Sequence, residues 1–386
     1  MDLLTHSAMS SFKSCRRKYY YAYEVGIRPA VDAKALRIGS AVHAAMEVGS
    51  LEGAVGVVAS LYGMPPAGFD EYWWNIEGQT VMTLVLGYYW RWATSQITTL
   101  EPEFKFELPL TNPATGHATP LWMRGGKIDG IVRLADGRLA IREMKTTSDD
   151  VTPDSPVWRR LRIDHQITHY TVAARDAGYD VATVLYDVIR KPTIEATPVA
   201  LRDADGLKIV RDANGNRVMT KQGKPRQTAS SEEGFTLVTR PMTPAEWHDK
   251  LVTDIYSRPD YYYARVEIPR LDADLDEYRF ELWDIQKTIR DAQLNNRWYR
   301  TVDRNTCQYC SYFNICADNV AINPDGSGLP DGMKFLGRQP HPELENTDAP
   351  TRRIPLATSA AGPAAGPATP AAEPVGGSAG SDPPRI

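Results

Sequence analysis

Three charged residues lie within two short apolar stretches, where a charge is costly unless it is paired or bound to a cation. Asp129 stands near the start of the first stretch, and Glu143 and Lys145 stand at the end of the second. Two neighbouring carboxylates can share a hard divalent cation, which takes oxygen ligands. A lysine beside them can orient or deprotonate a water molecule and offset the charge of a phosphate.

The turn between these stretches decides whether the charges meet. Two short strands are predicted, over 128–134 and 139–145. A two-residue turn at Asp136-Gly137 would place Asp129 and Glu143 on opposite faces. A three-residue loop with Gly137 left-handed pairs Asp129 directly with Glu143, at a Cα separation of roughly 4.5–5.5 Å. The alternative interpretation of these residues is a surface hairpin with a cross-strand salt bridge.

Predicted helices on the N-terminal side hold further candidates. A helix is predicted over about 7–25, and another begins near Ala35. The second helix carries His43 and Glu47, which share a face because they are four residues apart. A half-buried histidine held by its own helix is the alternative. Residues 51–98 are predicted to be helical, and their many aromatic residues favour core packing over base stacking.

The chain after the hairpin is predicted to alternate between helices and strands. A strand over 101–110 precedes the hairpin, a helix over 158–177 follows it, and a buried strand over 181–189 comes next. On the helix, Gln166 and Tyr170 share a face, as do His165 and His169. The two histidines could hold zinc, but the glutamate of the metalloprotease motif is missing, so we do not favour a zinc site. The pattern predicts an α/β fold with a mixed central sheet.

All four cysteines fall into one pattern. Cys307, Cys310 and Cys316 have the spacing C-x2-C-x5-C, and Cys15 is the only other cysteine. Four thiolates suit either Zn²⁺ or an iron–sulfur cluster, and the spacing alone does not choose between them. Such a site would join the N-terminal and C-terminal parts of the domain.

The composition of the chain excludes some classes of protein. The net charge of −4 excludes a general nucleic-acid coat, so any DNA contact must use local basic patches. Without an apolar leader or a run of about 18 apolar residues, we expect a cytoplasmic protein that does not enter a membrane. Residues 203–232 are predicted to be an exposed polar insertion, with helices at 244–257 and 275–296. We expect a folded domain over 1–335 and a disordered Ala/Pro/Gly-rich tail over 336–386.

Together these motifs resemble the PD-(D/E)xK nuclease superfamily, in particular its RecB-like branch with the CRISPR-associated and AddB-type nucleases that carry a [4Fe–4S] cluster. The resemblance spans residues 7–316. It implies a restriction-endonuclease-like core: a mixed central sheet flanked by helices, with a helical insertion at about 51–98. In chain order the matching positions are Cys15, Gly39-x-x-x-His43, Asp129, Glu143-x-Lys145, Gln166-x-x-x-Tyr170, Cys307, Cys310 and Cys316.

The resemblance also implies roles. It makes His43, Asp129, Glu143 and the backbone carbonyl of Met144 ligands of Mg²⁺ or Mn²⁺, and Lys145 the partner of the attacking water. By the same resemblance, Gln166 and Tyr170 support the site and the DNA backbone, and Glu47 supports the site from outside the ligand set. A [4Fe–4S] cluster, with Zn²⁺ the less favoured occupant, would be bound by Cys15, Cys307, Cys310 and Cys316.

The implied function is a metal-dependent DNA exonuclease in recombination, repair or replication, acting on single strands or free ends. No P-loop motif is present, so a helicase would be a separate partner, as would a recombinase or single-strand-binding protein. One alternative is an accessory DNA-binding subunit of a recombination or CRISPR-adaptation complex. Another is a DNA-binding protein held together by zinc and without activity. The long insertions leave open whether the strand is degraded in the 5′-to-3′ or the 3′-to-5′ direction.

Overall fold

The computed structural model describes residues 1–323, 325–345 and 351–353, which belong to one compact unit, Met1–Ile354. The strands are β1 (Asp2–Thr5), β2 (Ile27–Pro29), β3 (Thr98–Thr111), β4 (Ala118–Arg133), β5 (Leu139–Thr147), β6 (Val181–Arg190), β7 (Val199–Ala200), β8 (Val210–Arg211), β9 (Thr236–Leu237), β10 (Thr239–Arg240), β11 (Tyr263–Ile268), β12 (Met333–Phe335) and β13 (Arg352–Arg353). The helices are α1 (His6–Ser14), α2 (Arg16–Tyr19), α3 (Lys34–Glu47), α4 (Leu51–Leu61), α5 (Glu71–Arg91), α6 (Pro156–Leu161), α7 (His165–Asp176), α8 (Pro244–Ser257), α9 (Pro259–Tyr262), α10 (Asp272–Asn295), α11 (Arg304–Gln308), α12 (Phe313–Ala317) and α13 (Pro342–Glu345), with a π-helical turn at Tyr20–Val25.

The central sheet contains seven strands and is mixed, as predicted. Its order is β11-β6-β5-β4-β3-β13, and β1 pairs with β4 off this path. Strands β3, β4 and β5 form an antiparallel meander, whereas β5 and β6 run parallel. The inward side chains of this meander and of α7 form one apolar core, which includes Phe106, Ile128 and Ile167. The predicted α/β fold class is confirmed.

The hairpin between β4 and β5 has the three-residue loop that the sequence favours. The Leu134 N–H donates to the Arg138 carbonyl at 2.9 Å, and Gly137 has a φ of 90°. A left-handed residue at this point suits glycine, which has no Cβ to clash. Gly130 pairs with Arg142, so the same register places Asp129 across from Glu143. The predicted register is therefore confirmed.

The predicted helix over 7–25 is wrong in its middle. Cys15 has an extended backbone, with φ of −165° and ψ of 119°, and separates α1 from α2. A π-helical turn follows and ends at Gly26, which has a φ of 80°. Cys15 itself contacts a distant residue, because the Thr301 N–H donates to its thiol at 3.4 Å. The Tyr19 ring after the break stacks on Tyr23 and Trp298 at centroid distances of 5.1 and 5.9 Å.

The helical region after α3 packs on the other side of the sheet. Helices α3, α4, α5 and α8 enclose a second apolar core, in which Val42, Leu84 and Leu251 are fully buried. Trp74 belongs to the buried side of α5, as predicted for core packing, whereas its neighbour Trp73 is 55% exposed. The described residues include no helix that is both long enough and apolar enough to cross a bilayer.

The predicted helix over 158–177 is two helices, α6 and α7, and its histidines do not form a pair. His169 is fully buried, and its two ring nitrogens lie 3.1 Å from the Gly125 carbonyl and 3.1 Å from the Tyr278 hydroxyl. His165 is instead turned toward Lys13 and Glu281. Both ring nitrogens of His169 are therefore within hydrogen-bonding distance of other groups.

The polar segment between β6 and α8 forms exposed turns linked by two-residue strands, as expected for residues 203–232. Helix α8 begins where the sequence predicts it, because Thr243 and Glu246 form a capping box.

The chain after β12 stays packed beyond the boundary predicted at residue 335. The Leu336 and Gln339 N–H groups donate to the carbonyls of Gly26 and Tyr23, and Leu344 is 4% exposed. These contacts depend on residues far apart in sequence, so composition does not reveal them. The rest of the predicted disordered tail, apart from β13, lies outside the described residues.

Candidate active site

A pocket of about 280 Å³ opens beside the β4–β5 hairpin and brings together most of the residues singled out from the sequence. Its lining residues are Thr5, His6, Ser7, His43, Gly126, Lys127, Asp129, Glu143, Met144, Lys145, Thr146, Gln166, Tyr170 and Glu343. Helix α3 reaches the hairpin closely at Gly39, where a Cβ would lie 3.0 Å from the Thr146 Oγ1. A glycine at this position therefore lets α3 bring His43 to the end of β5.

Asp129 is held from two sides. Its Oδ2 accepts a hydrogen bond from the Met144 N–H at 2.8 Å and lies 3.6 Å from the His43 Nδ1. Burial by itself raises the pKa of Asp129, but His43 and the Met144 N–H outweigh it, so the pKa lies below its usual value. Burial lowers and Asp129 raises the pKa of His43, with a net rise. The pocket thus keeps Asp129 ionised.

Glu143 has one paired and one unpaired oxygen. Its Oε1 lies 2.7 Å from the Lys145 Nζ. Its Oε2 is buried and has no hydrogen-bond partner among the described residues. Burial, opposed by Lys145, raises the pKa of Glu143 to about 7. A buried carboxylate oxygen without a partner is costly, and a bound cation would relieve that cost.

Lys145, Gln166 and Tyr170 form a chain of hydrogen bonds at the side of the pocket. The Lys145 Nζ donates to the Gln166 Oε1 at 2.5 Å, and the Gln166 Nε2 donates to the Tyr170 hydroxyl at 3.1 Å. Burial lowers the pKa of Lys145, but the Glu143 carboxylate outweighs it and leaves the pKa above its usual value. Lys145 is therefore a fixed ammonium that can face a phosphate or a water molecule.

Glu47 does not line this pocket. Its Oε1 lies 2.6 Å from the Lys127 Nζ, which also pairs with Glu103. Glu47 therefore reaches the pocket only through Lys127, which does line it.

Sequence reasoning missed the residues that close the opposite side of the pocket. The Thr5 Oγ1 donates to the Glu343 Oε1 at 2.9 Å, so the ends of β1 and α13 meet there. His6 follows β1, and burial lowers its pKa to about 4, which keeps its ring neutral. The parallel pairing of β1 with β4 brings Thr5 and His6 to the site, and no local pattern signals that pairing.

The donor set suits a hard divalent cation. Asp129, Glu143, His43 and the Met144 carbonyl all belong to residues that line the pocket. With the side chains as they stand, no three histidine, cysteine, aspartate or glutamate residues of the described chain form a ready metal-binding group. The unpartnered Glu143 oxygen is the observation that points to a cation.

Comparison with known proteins decides the family. The model of the PD-(D/E)XK nuclease superfamily matches residues 3–317. The chain belongs to this superfamily. Its members are metal-dependent nucleases that usually use divalent ions such as Mg²⁺ or Mn²⁺, so the activity class is a nuclease and its substrate a nucleic acid.

The other comparisons add little. No curated protein matches the chain. Among solved structures, the one described as "Crystal structure of SSO0001" aligns with 82% of this chain and 96% of that chain, at 10% identity and a TM-score of 0.25. A TM-score that low supports no argument about this nuclease.

The four cysteines of the nuclease line a second cavity, of about 170 Å³. None of them forms a disulfide, and Cys15 is the most buried. The Thr301 N–H donates to the Cys15 Sγ at 3.4 Å, while the Cys307 thiol lies 3.8 Å from the Thr301 carbonyl. Burial raises the pKa of the Cys310 thiol, and the neighbouring Cys15 and Cys307 add to the rise. The structure thus brings together residues from both ends of the matched segment.

Proposed function

We propose that this nuclease is a Mg²⁺- or Mn²⁺-dependent DNA exonuclease of the RecB-like branch. The observation that supports the proposal best is the pair of buried Glu143 and half-buried Lys145, with the second Glu143 oxygen unpartnered among the described residues. Asp187 also has a buried oxygen without a hydrogen-bond partner among the described residues. The support therefore comes from the place of the Glu143 oxygen, in a pocket that Asp129 and His43 also line.

Asp129, Glu143, His43 and the Met144 carbonyl would hold the cation. When bound, a divalent ion lowers the pKa of a water molecule and neutralises charge on the phosphate. Lys145 places its ammonium where the attacked phosphate gains negative charge, and Gln166 holds that ammonium in position. Tyr170 in turn holds the Gln166 amide. Each residue of this chain therefore has a distinct positioning task.

The cysteine cavity supports the second part of the proposal, a [4Fe–4S] cluster on Cys15, Cys307, Cys310 and Cys316. Four thiols around one cavity suit such a cluster in number and kind, but as the side chains stand they form no ready metal-binding group within the described residues, so they would have to move closer together on binding. Zn²⁺ is the competing occupant. In this nuclease the cluster would connect α1 and α2 to α11 and α12. Its cavity shares no lining residue with the pocket around Glu143, the proposed hydrolytic pocket. Its role would be structural.

The preference for ends is proposed from charge as well as from resemblance. The net charge of −4 suits a local channel rather than a face that coats a duplex. Part of the predicted basic surface is used in packing, since Arg16 lies over the Tyr299 ring and Arg17 donates to the Trp298 carbonyl. Arg159 and Arg162 remain exposed.

We further propose that residues 51–98 and 203–232 are insertions in this nuclease domain. Unwinding of the substrate would come from a separate helicase, and a recombinase or single-strand-binding protein would be a further partner. The proposed location is the cytoplasm.

The test is a time course with purified protein on linear and circular single-stranded DNA of the same sequence, with Mg²⁺, with Mn²⁺ and with EDTA. We expect the end-labelled linear strand to shorten progressively, the circle to persist, and EDTA to stop the reaction. Equal rates on both forms would indicate an endonuclease and remove the end preference. No hydrolysis of either form with either ion would refute the proposed activity.

A further inference from the structure

A groove of about 610 Å³ lies at the carboxyl ends of β5 and β6, next to the hydrolytic pocket. Ser148, which lines it, comes three residues after Lys145. Lys191, which also lines it, follows β6, and its N–H donates to the Thr147 carbonyl at 2.7 Å. Ligands of α/β sheets commonly bind beyond the carboxyl ends of such parallel strands.

Helix α3 connects the groove to the pocket. Lys34 lines the groove at the first residue of this helix, while His43 lines the hydrolytic pocket nine residues later. At about 1.5 Å per residue, the two positions are roughly 13 Å apart along the helix. That separation corresponds to a few nucleotides of an extended strand leaving the hydrolytic pocket.

The groove offers positive charge that has no acidic partner in the part of the chain that the structure describes. Within the described residues, neither Lys34 nor Lys191 forms an ion pair, and the Lys191 Nζ donates only to the Ala35 carbonyl at 3.0 Å. Among the described residues that line the groove, Glu195 alone is acidic. Helix α3 also begins without a side-chain cap, so its first N–H groups add positive partial charge at the same place.

The groove also contains an exposed aromatic ring. The Trp73 side chain is 55% exposed, although Trp74 beside it is buried in the core. Tyr72 contacts the Trp73 indole edge-on, at a centroid distance of 4.9 Å and an interplanar angle of 68°. An exposed indole bordered by lysines is the combination with which proteins bind unpaired nucleotides, through base stacking and phosphate contacts.

We propose that this groove binds unpaired nucleotides of the strand that is cut, with a base stacked on Trp73 and backbone phosphates beside Lys34 and Lys191. The proposal deepens the proposed nuclease function and rests on it for the identity of the ligand. The groove would select single-stranded substrate, because a paired base cannot turn its face to the indole.

The test measures binding without hydrolysis, using fluorescence anisotropy of a labelled 12-nucleotide oligothymidine in the Lys145→Ala background. Trp73→Ala should weaken binding by about five- to hundredfold, the effect of losing one base–aromatic stack. Trp73→Phe should retain most of the affinity. Trp90→Ala is the matched control, since Trp90 lies on the same helix, is 42% exposed and does not line the groove. It should change affinity less than twofold.

A second measurement locates the stacked base. Oligonucleotides with a single abasic site, moved one position at a time, should include one position at which Trp73→Ala causes no further loss of affinity. Replacing Lys34 and Lys191 by alanine should make the slope of log affinity against log salt shallower by about 0.7 per lost phosphate contact. A merely structural role of Trp73 would not produce the first effect, and a merely structural role of the two lysines would not produce the second.

The outcomes separate the two proposals. The proposed nucleotide binding in the groove would be refuted by equal losses of affinity for Trp73→Ala and Trp90→Ala. It would also be refuted by a Trp73→Ala effect that does not depend on the abasic position. Either result leaves wild-type cleavage unaffected. Position-specific binding on Trp73 without any wild-type cleavage would support the groove and refute the nuclease activity. Because Trp73 is exposed, a melting curve of Trp73→Ala that matches Trp90→Ala excludes misfolding as the cause.

Discussion

The Oε1 of Glu143 lies 2.7 Å from the Nζ of Lys145, and the other oxygen of the same carboxylate is buried without a hydrogen-bond partner among the residues described. Glu143 thus holds Lys145 in place with one oxygen, and its other oxygen is a free acceptor in a residue that lines the pocket. The two oxygens would serve two tasks, because the unpartnered one would help to hold a cation while the paired one keeps the Lys145 ammonium in place.

Lys145→Ala should lower the turnover number by at least about a hundredfold, since it removes the ammonium beside the reacting phosphate. The affinity for DNA should change little, because many other contacts contribute to it. Single-turnover cleavage of an end-labelled strand measures the first quantity, and anisotropy measures the second. A variant with near wild-type turnover would remove Lys145 from the reaction.

Glu143→Gln should make the metal-free protein more stable at high pH. The pKa of Glu143 is about 7 in the folded protein, above its ordinary value of 4.5. A carboxyl with a higher pKa in the folded state favours folding at low pH, and that contribution is lost as the pH rises from about 4.5 through about 7. In EDTA, the melting temperature of the wild type should therefore fall relative to Glu143→Gln between pH 5 and pH 8.

The control for this experiment is Glu277→Gln, which changes an exposed carboxylate on α10. Its melting temperature should follow the wild type at every pH. Added Mn²⁺ should raise the melting temperature of the wild type but not of Glu143→Gln. A difference in melting temperature between wild type and Glu143→Gln that does not vary with pH would show that the pKa of Glu143 is not raised in the folded protein.

Protein purified without oxygen should be brown and contain iron and sulfide in cluster stoichiometry. Cys310→Ala should lose the colour and melt at a lower temperature, because the thiols line one shared cavity. Lys145→Ala is the control and should keep both iron and colour. Zinc in place of iron would refute the cluster and leave the hydrolytic pocket untouched.

A chain that ends at residue 335 should melt several degrees below the full chain. It loses the buried Leu344 and the backbone bonds that Leu336 and Gln339 donate. A chain that ends at Arg353 keeps every contact described above and should melt with the full protein. Differential scanning calorimetry distinguishes the two, and equal melting temperatures for both chains would mean that residues 336–344 contribute nothing.

The sequence predicts local features of this nuclease well. The β4–β5 register follows from side-chain alternation and from the glycine at Gly137, and both signals lie within a few residues of each other. The start of α8 follows from the reciprocal bonds of Thr243 and Glu246. In both places the determining interactions are between neighbours in sequence, so a pattern can reveal them.

Interactions between distant segments account for what the sequence does not reveal. Glu343 reaches the pocket because residues after β12 pack on the N-terminal helices, which no periodicity encodes. Glu47 shares a helical face with His43, but Lys127 from β4 captures its carboxylate. At the break in the first helix, Cys15 accepts a hydrogen bond from the distant Thr301 N–H. In each of these places a residue distant in sequence determines where the side chain lies, and helical spacing does not reveal which residue that is.

The shared core of the two chain ends bears on how the protein is synthesised. Residues 1–25 leave the ribosome long before Trp298 and Tyr312, whose rings contact Tyr19 and Tyr21. The tyrosine-rich surface of the nascent chain therefore waits for its partners until nearly the whole nuclease segment has been translated, and exposed apolar surface favours aggregation. The β4–β5 hairpin has no such delay, because its contacts are local. Soluble yield in a recombinant host should thus depend on chaperone supply and translation rate more than on any residue of the hydrolytic pocket.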